Sequence, residues 1–102
     1  MNLTDLRPGM EHINLRVKLV SLEKARKVET DYGVTHFIVE GQIEDGSSSM
    51  GITVWNEKIE KLEGLDIGNY IELNNCFITS FKGILSVNVG RESDIFIITK
   101  RI

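Results

Sequence analysis

The chain has 102 residues, 41% of them hydrophobic, and a formal net charge of −3. That suffices for one domain with its own core and is too short for two ordinary ones, so residues 1–102 are expected to form a single unit. One cysteine, Cys76, excludes an internal disulfide framework and a multi-cysteine zinc site, and no apolar run approaches the ~20 residues that cross a bilayer.

Met1 to Met10 lacks the apolar stretch of a secretory leader, so the chain is expected to be soluble and intracellular. Pro8-Gly9 punctuates this lead-in. From His12 to Leu22, Ile13, Leu15, Val17 and Leu19 alternate with Asn14, Arg16 and Lys18, the period-2 pattern of a half-buried strand. Glu23 to Gly33 is polar and reads as a loop. Val34 to Ile43 is a second strand, and Gly41 inside it marks a bulge or sharp bend. Asp45-Gly46 and three serines make a hairpin connection to a third strand, Met50 to Trp55.

Asn56 to Leu65 changes character: Ile59 and Leu62 sit three apart among charged residues. That predicts a short amphipathic helix over 57–63, with Asn56 as N-cap and Gly64 as its stop. A fourth strand runs from Tyr70 to Phe81, Lys82-Gly83 turns the chain, and Ile84 to Val89 is a fifth. Ile95 to Ile98 can add a short closing strand. The fold class is therefore all-β: a small five-stranded barrel with one short helix between strands three and four.

Little in this chain resembles catalytic machinery. His12 and His36 lie on different strands without metal-pair spacing, and no metal site or cofactor is expected. Cys76 alternates with Phe77 and is expected to face inward and be inert. Glu40, Glu44 and Asp45 read as a solvated charge cluster. There is no Gly-rich phosphate loop and no Ser-His-Asp pattern, so no enzyme is predicted.

The strand faces carry more. Trp55 and Thr53 lie opposite Met50, Ile52 and Val54 on strand three. Phe77, Thr79 and Phe81 share one face of strand four, and Ser86 and Asn88 the outer face of strand five. If the aliphatic faces are core, Trp55, Phe77 and Phe81 form an outer platform on which nucleic-acid bases can stack, at ~1–3 kcal/mol per base. An aromatic in a short barrel is more often core, so the alternative for each is a buried position, and parity on strand four is ambiguous near a bulge. Lys82, Arg91, Arg16 and Lys18 are candidate phosphate contacts, joined by the basic cluster Lys24, Arg26 and Lys27 in the loop after strand one.

Charge is unevenly spread. Residues 1–28 carry six basic and three acidic side chains, residues 29–66 two and nine, residues 67–102 four and three. An acidic chain with a basic rim predicts moderate, salt-sensitive affinity for a polyanion.

Leu6-Arg7-Pro8-Gly9-Met10, then Ile13-Asn14-Leu15, Ile52-Thr53-Val54-Trp55, Phe77-Ile78-Thr79-Ser80-Phe81-Lys82-Gly83 and Leu85-Ser86-Val87-Asn88-Val89-Gly90-Arg91 together resemble the simple single-OB single-stranded DNA-binding proteins of archaea. The SSB subunits of the eukaryotic SOSS DNA-damage complex are similar, and the match covers nearly all of residues 3–98. The resemblance implies an OB-fold barrel whose Trp55, Phe77 and Phe81 occupy the family's base-stacking positions. It implies single-stranded DNA as partner, with replication, repair or recombination proteins beside it, and a cytoplasmic, nucleoid-associated location. The chain departs from the pattern at Phe77, where Trp or Tyr is common, at Asn88, where some relatives have an aromatic, and in the 44–49 loop. Many members carry a long C-terminal tail, whereas this sequence stops at Ile102. Two other readings stay open on the residues alone: a single-stranded RNA binder, since stacking does not sense the 2′-OH, and an OB-fold protein-interaction adaptor.

Overall fold

Alternating aliphatic side chains wrap the sheet into a closed barrel. The computed structural model describes residues 1–98. In chain order these form a 3-10 turn η1 (Leu3–Asp5), strands β1 (Ile13–Leu22), β2 (Arg26–Glu29), β3 (Thr35–Glu44) and β4 (Ser49–Trp55), a 3-10 helix η2 (Asn56–Leu62), and strands β5 (Tyr70–Phe81), β6 (Ile84–Val89) and β7 (Asp94–Ile98). The path β1-β3-β4-β6-β5 closes on itself through β1–β5 pairing. All its contacts are antiparallel except β4–β6, which is parallel. β7 extends the sheet along β5. Five strands thus make the barrel.

Leu19, Ile43, Val54, Ile71, Leu73 and Val87 are fully buried at its centre. Leu3 and Leu6, each 1% exposed, join the same core from the lead-in. The Leu3 N–H donates to Asp45 Oδ2 at 2.7 Å, which ties the lead-in to the β3–β4 turn. Gly9 and Met10 exchange backbone hydrogen bonds with Ile78 of β5 at 2.9 Å, so the Pro8-Gly9 segment covers part of that strand's edge.

Two local expectations are corrected. The stretch read as loop from Glu23 to Gly33 contains β2, which pairs with β3 from Arg26↔Ile38 to Glu29↔Thr35 and makes a hairpin projecting beyond the barrel path. Both of its faces are polar or exposed, so it shows no core alternation. The helix after β4 is 3-10, not α, and Asn56 is not its N-cap. In a 3-10 helix residues three apart eclipse, which puts Ile59 and Leu62 on one face against the core. Asn56 has φ 50°, outside the extended region an N-cap needs. Its Oδ1 instead accepts the Phe37 N–H at 3.0 Å, tying β3 to the end of β4.

Two irregularities shape the barrel. Register between β1 and β3 shifts between the Leu19↔Ile43 and Ser21↔Gln42 pairs, next to the Leu22↔Gly41 pair. A Cβ on Gly41 would overlap the Ser21 carbonyl oxygen, so the close approach requires glycine. On β5, register shifts between the Leu15↔Leu73 and Ile13↔Cys76 pairs, and Asn75 has φ 56°. This bulge inverts parity: Ile71 and Leu73 are core before it, Cys76 and Ile78 after it. Phe77, Thr79 and Phe81 consequently point out. Cys76 is wholly buried, and burial pushes its thiol up to about 11, so it stays neutral and unreactive at ordinary pH.

Candidate nucleic-acid interface

The outer face of β3, β4, β6 and β5 is a lattice fixed by strand register. One transverse row runs Arg26–Ile38–Trp55 across β2, β3 and β4. The next runs Glu40–Thr53–Asn88–Phe77, and the third Gln42–Gly51–Ser86–Thr79. Phe81 stands further along, opposite Ile84. Trp55, Phe81 and Ile84 rise from the walls of a groove of about 630 Å³ over these rows.

Exposure grades along the face. Phe81 is 74% exposed and Ile84 73%, whereas Phe77 is 36% exposed. Phe77 leans over Gly90: a Cβ there would lie 3.0 Å from its ring. It lines a smaller recess that contains Arg91, and it joins the groove face through its pairing with Asn88. Trp55 is half-buried, held edge-on by His36 at 5.6 Å between ring centroids.

Asn88 and Thr53, expected among the contacting residues, lie in the floor of the groove and are buried, at 3% and 8% exposure. Asn88 Oδ1 accepts the Trp55 indole N–H at 3.0 Å. Its Nδ2 donates to Thr79 Oγ1 at 2.9 Å and reaches the Phe77 carbonyl at 3.4 Å. One buried amide thus links the positions of three outer residues on two other strands. Thr53 Oγ1 and Ser86 Oγ sit 3.2 Å apart in the same floor. A satisfied network of this kind holds the indole in one orientation.

The cations divide. Lys82 occupies the turn after β5 with φ 52°, and its Nζ lies 5.4 Å above the Phe81 ring. Arg26 reaches the groove, but Glu40 meets it with Oε1 at 2.6 Å from Nη2 and 3.1 Å from Nε. Lys27 alternates with Arg26 and faces away, beside Phe37, and Lys24 is exposed just before β2. Arg16 is not brought to the groove. It pairs with Glu72 at 3.1 Å and lines a separate recess with Asp45 and Asn74. Lys18 lies two residues on in the same strand, opposite Glu44 and Tyr70. The reason is topological: the outer side of β1 borders the first half of β5, before the bulge, while the aromatics follow it.

Ile38, Gln42 and Ile84 line the groove without having been singled out from the sequence, as does Glu40, which was read only as part of a solvated charge cluster. Their signal is the period-2 alternation of β3 against Val39, Gly41 and Ile43, and Ile84's parity with Ser86 and Asn88. The acidic group at 40–45 is also corrected. Glu40 is a groove residue, and Asp45 binds its own turn, accepting from Ser47 N–H and Oγ at 2.9 and 2.6 Å. Burial pushes the Asp45 carboxyl up, but hydrogen bonds from Ser47, Leu3 and Ser48 outweigh it and hold the group below the usual carboxylate value. Among the described residues no group of three or more His, Cys, Asp or Glu could hold a metal ion, and no helix is long and apolar enough to cross a membrane.

A family model described as single-stranded DNA binding protein Ssb-like, OB fold, matches residues 6–95. The chain belongs to this family. Of curated proteins, the single-stranded DNA binding protein Ssb of Saccharolobus solfataricus is 28% identical over 91 residues, covering 89% of this chain and 59% of that protein. The chain therefore spans about three-fifths of that relative's length. The OB domain of Ta0387 from Thermoplasma acidophilum superposes with a TM-score of 0.79 at 22% identity, over 100% of this chain and 89% of that one. The replication factor A related protein from Methanobacterium thermoautotrophicum gives 0.80 at 18% identity, over 96% and 89%. These two likenesses concern the barrel, and the Ssb-like match takes in every strand from β1 to β6 together with the groove described above.

Proposed function

We propose that this chain binds single-stranded DNA in the β3–β4–β6–β5 groove, by sequence-tolerant stacking on Trp55, Phe77 and Phe81, and that it catalyses no reaction. The observation that carries this is the orientation of three aromatics away from a complete aliphatic core. A soluble barrel gains nothing in stability from Phe81 standing 74% exposed beside Ile84 at 73%, and exposed large apolar groups bordering one groove mark a binding surface. The name of the Saccharolobus relative and the family description support the same ligand. One OB fold covers ~4–5 nucleotides at the low end of the usual range. Phosphates run past Lys82 and Arg91, with Lys24 on the hairpin side; Lys27 faces away, Arg26 is paired with Glu40 and Arg16 with Glu72. Such a module serves replication, repair or recombination, in the compartment that holds the DNA.

Trp55 is the only tryptophan, so its emission reports the groove. Titration with a mixed-sequence single strand of about 12 nucleotides is expected to quench it, with affinity falling as salt rises, and duplex DNA of the same sequence is expected not to. The same titration with RNA measures the sugar preference. Absence of quenching and of a gel shift at low salt would defeat the reading in favour of a protein-binding adaptor.

A further inference from the structure

The groove is lined by two carboxylates, Glu23 and Glu40, and by the Arg26 guanidinium that pairs with Glu40. Glu40 stands on the β3 side, opposite Thr53 and one step along from the Ile38↔Trp55 pair. Trp55 and Glu40 are therefore diagonal neighbours on one sheet face, a spacing of ~7–8 Å that a base stacked on the indole bridges. Both Arg26 contacts converge on Glu40 Oε1, which leaves Oε2 outside that ion pair as an acceptor. The Glu40 side chain keeps 39% of its exposure, so the oxygen is reachable.

With the phosphates on the Lys82 side of the groove, as proposed above, the edge of a base stacked on Trp55 turns to β3 and to Glu40. Such an acceptor distinguishes base edges. Cytosine offers its N4 amino group, and a carboxylate accepts from it. Uracil has one ring donor, N3–H, flanked by two carbonyl oxygens that repel a carboxylate. The two rings are otherwise nearly the same size and stack alike.

We infer that Glu40 is a specificity-determining residue: granted the single-strand reading above, it makes this groove prefer bases that carry an exocyclic amino group over uracil and thymine. The sequence-tolerant stacking surface thereby acquires a graded base preference at the Trp55 position. Arg26 is a positioning residue that fixes the carboxylate, and not itself a phosphate anchor.

The test compares oligo-dC with oligo-dU on the native protein, E40Q and R26Q, following Trp55 emission. The pair differs only at the base edge and avoids the thymine methyl. The native protein is expected to bind oligo-dC about tenfold more tightly, the worth of one charge-assisted hydrogen bond. In E40Q the side-chain amide both donates and accepts, so the ratio is expected to fall to about twofold or less, while uracil binding persists and certifies the fold. R26Q keeps the carboxylate but releases it from its fixed position, so the oligo-dC to oligo-dU ratio is expected to fall between those of the native protein and E40Q, and a ratio equal to the native one overturns the positioning role of Arg26. Equal binding of both oligomers by the native protein, or a ratio unchanged in E40Q, overturns the role of Glu40 alone. Failure of the native protein to bind either oligomer overturns the single-strand reading, and the role of Glu40 with it.

Discussion

Phe81→Ala is expected to weaken single-strand binding by ~1–3 kcal/mol, roughly 5- to 150-fold, with no change in salt slope. The ring is 74% exposed and outside the core, so its removal is expected to move folding stability by no more than ~0.5 kcal/mol. Stacking releases no counterions, which is why the affinity falls at every salt concentration by the same factor. Lys82 provides the contrast. Its ammonium lies 5.4 Å from the same ring, and Lys82→Gln is expected to lower affinity modestly and the salt slope by about one. Isothermal titration across a salt series separates the two. A Phe81→Ala protein that binds as tightly as the native one would remove that ring from the site.

Gly41→Ala is expected to cost about 3 kcal/mol of stability, the upper end of overpacking penalties. The added methyl overlaps the Ser21 carbonyl oxygen and lies 3.0 Å from Leu22 Cδ2, beside the register shift between β1 and β3. A backbone oxygen cannot rotate aside, so either the bulge opens or the register slips. Gly51→Ala is the control, because a Cβ there meets only ordinary contacts, the nearest being Ser86 Oγ at 3.7 Å. Urea unfolding midpoints are expected to drop sharply for Gly41→Ala and little for Gly51→Ala. Equal midpoints would mean that β1 relaxes freely and that the close approach does not require Gly41.

Gly41 stood out because a lone glycine interrupts the strand pattern; what requires it is the close approach of the Ser21 carbonyl beside the register shift of β1. Trp55 was legible from alternation: Ile52 and Val54 are core on either side of Thr53, and the tryptophan continues the other face. Phe77 and Phe81 were harder. Reading β5 as one uninterrupted strand from Tyr70 assigns them to the Leu73 face, which is core. Only the extra residue near Asn75 restores their outward orientation; asparagine tolerates its φ of 56°, but the sequence left the strand's parity ambiguous.

Pairing between distant residues accounts for what the sequence withheld. The Arg26–Glu40 ion pair depends on β2 lying beside β3, and a polar stretch exposed on both faces carries no periodic signal of a strand. Arg16 falls away from the groove because β1 meets β5 before the bulge, a consequence of closure and not of any local pattern. Asn88 looked like an outer contact by parity, and its parity is right. Its burial comes from Trp55, which covers it and takes its oxygen as a hydrogen-bond acceptor.

The most direct test of the groove is amide chemical-shift mapping of the folded chain during titration with single-stranded DNA. The largest shifts are expected at 38–42, 53–55, 77–82 and 84–91, together with the Trp55 indole N–H that donates to Asn88. Shifts concentrated instead around Arg16, Glu72 and Asn74, or along β7, would contradict the assignment of the binding face.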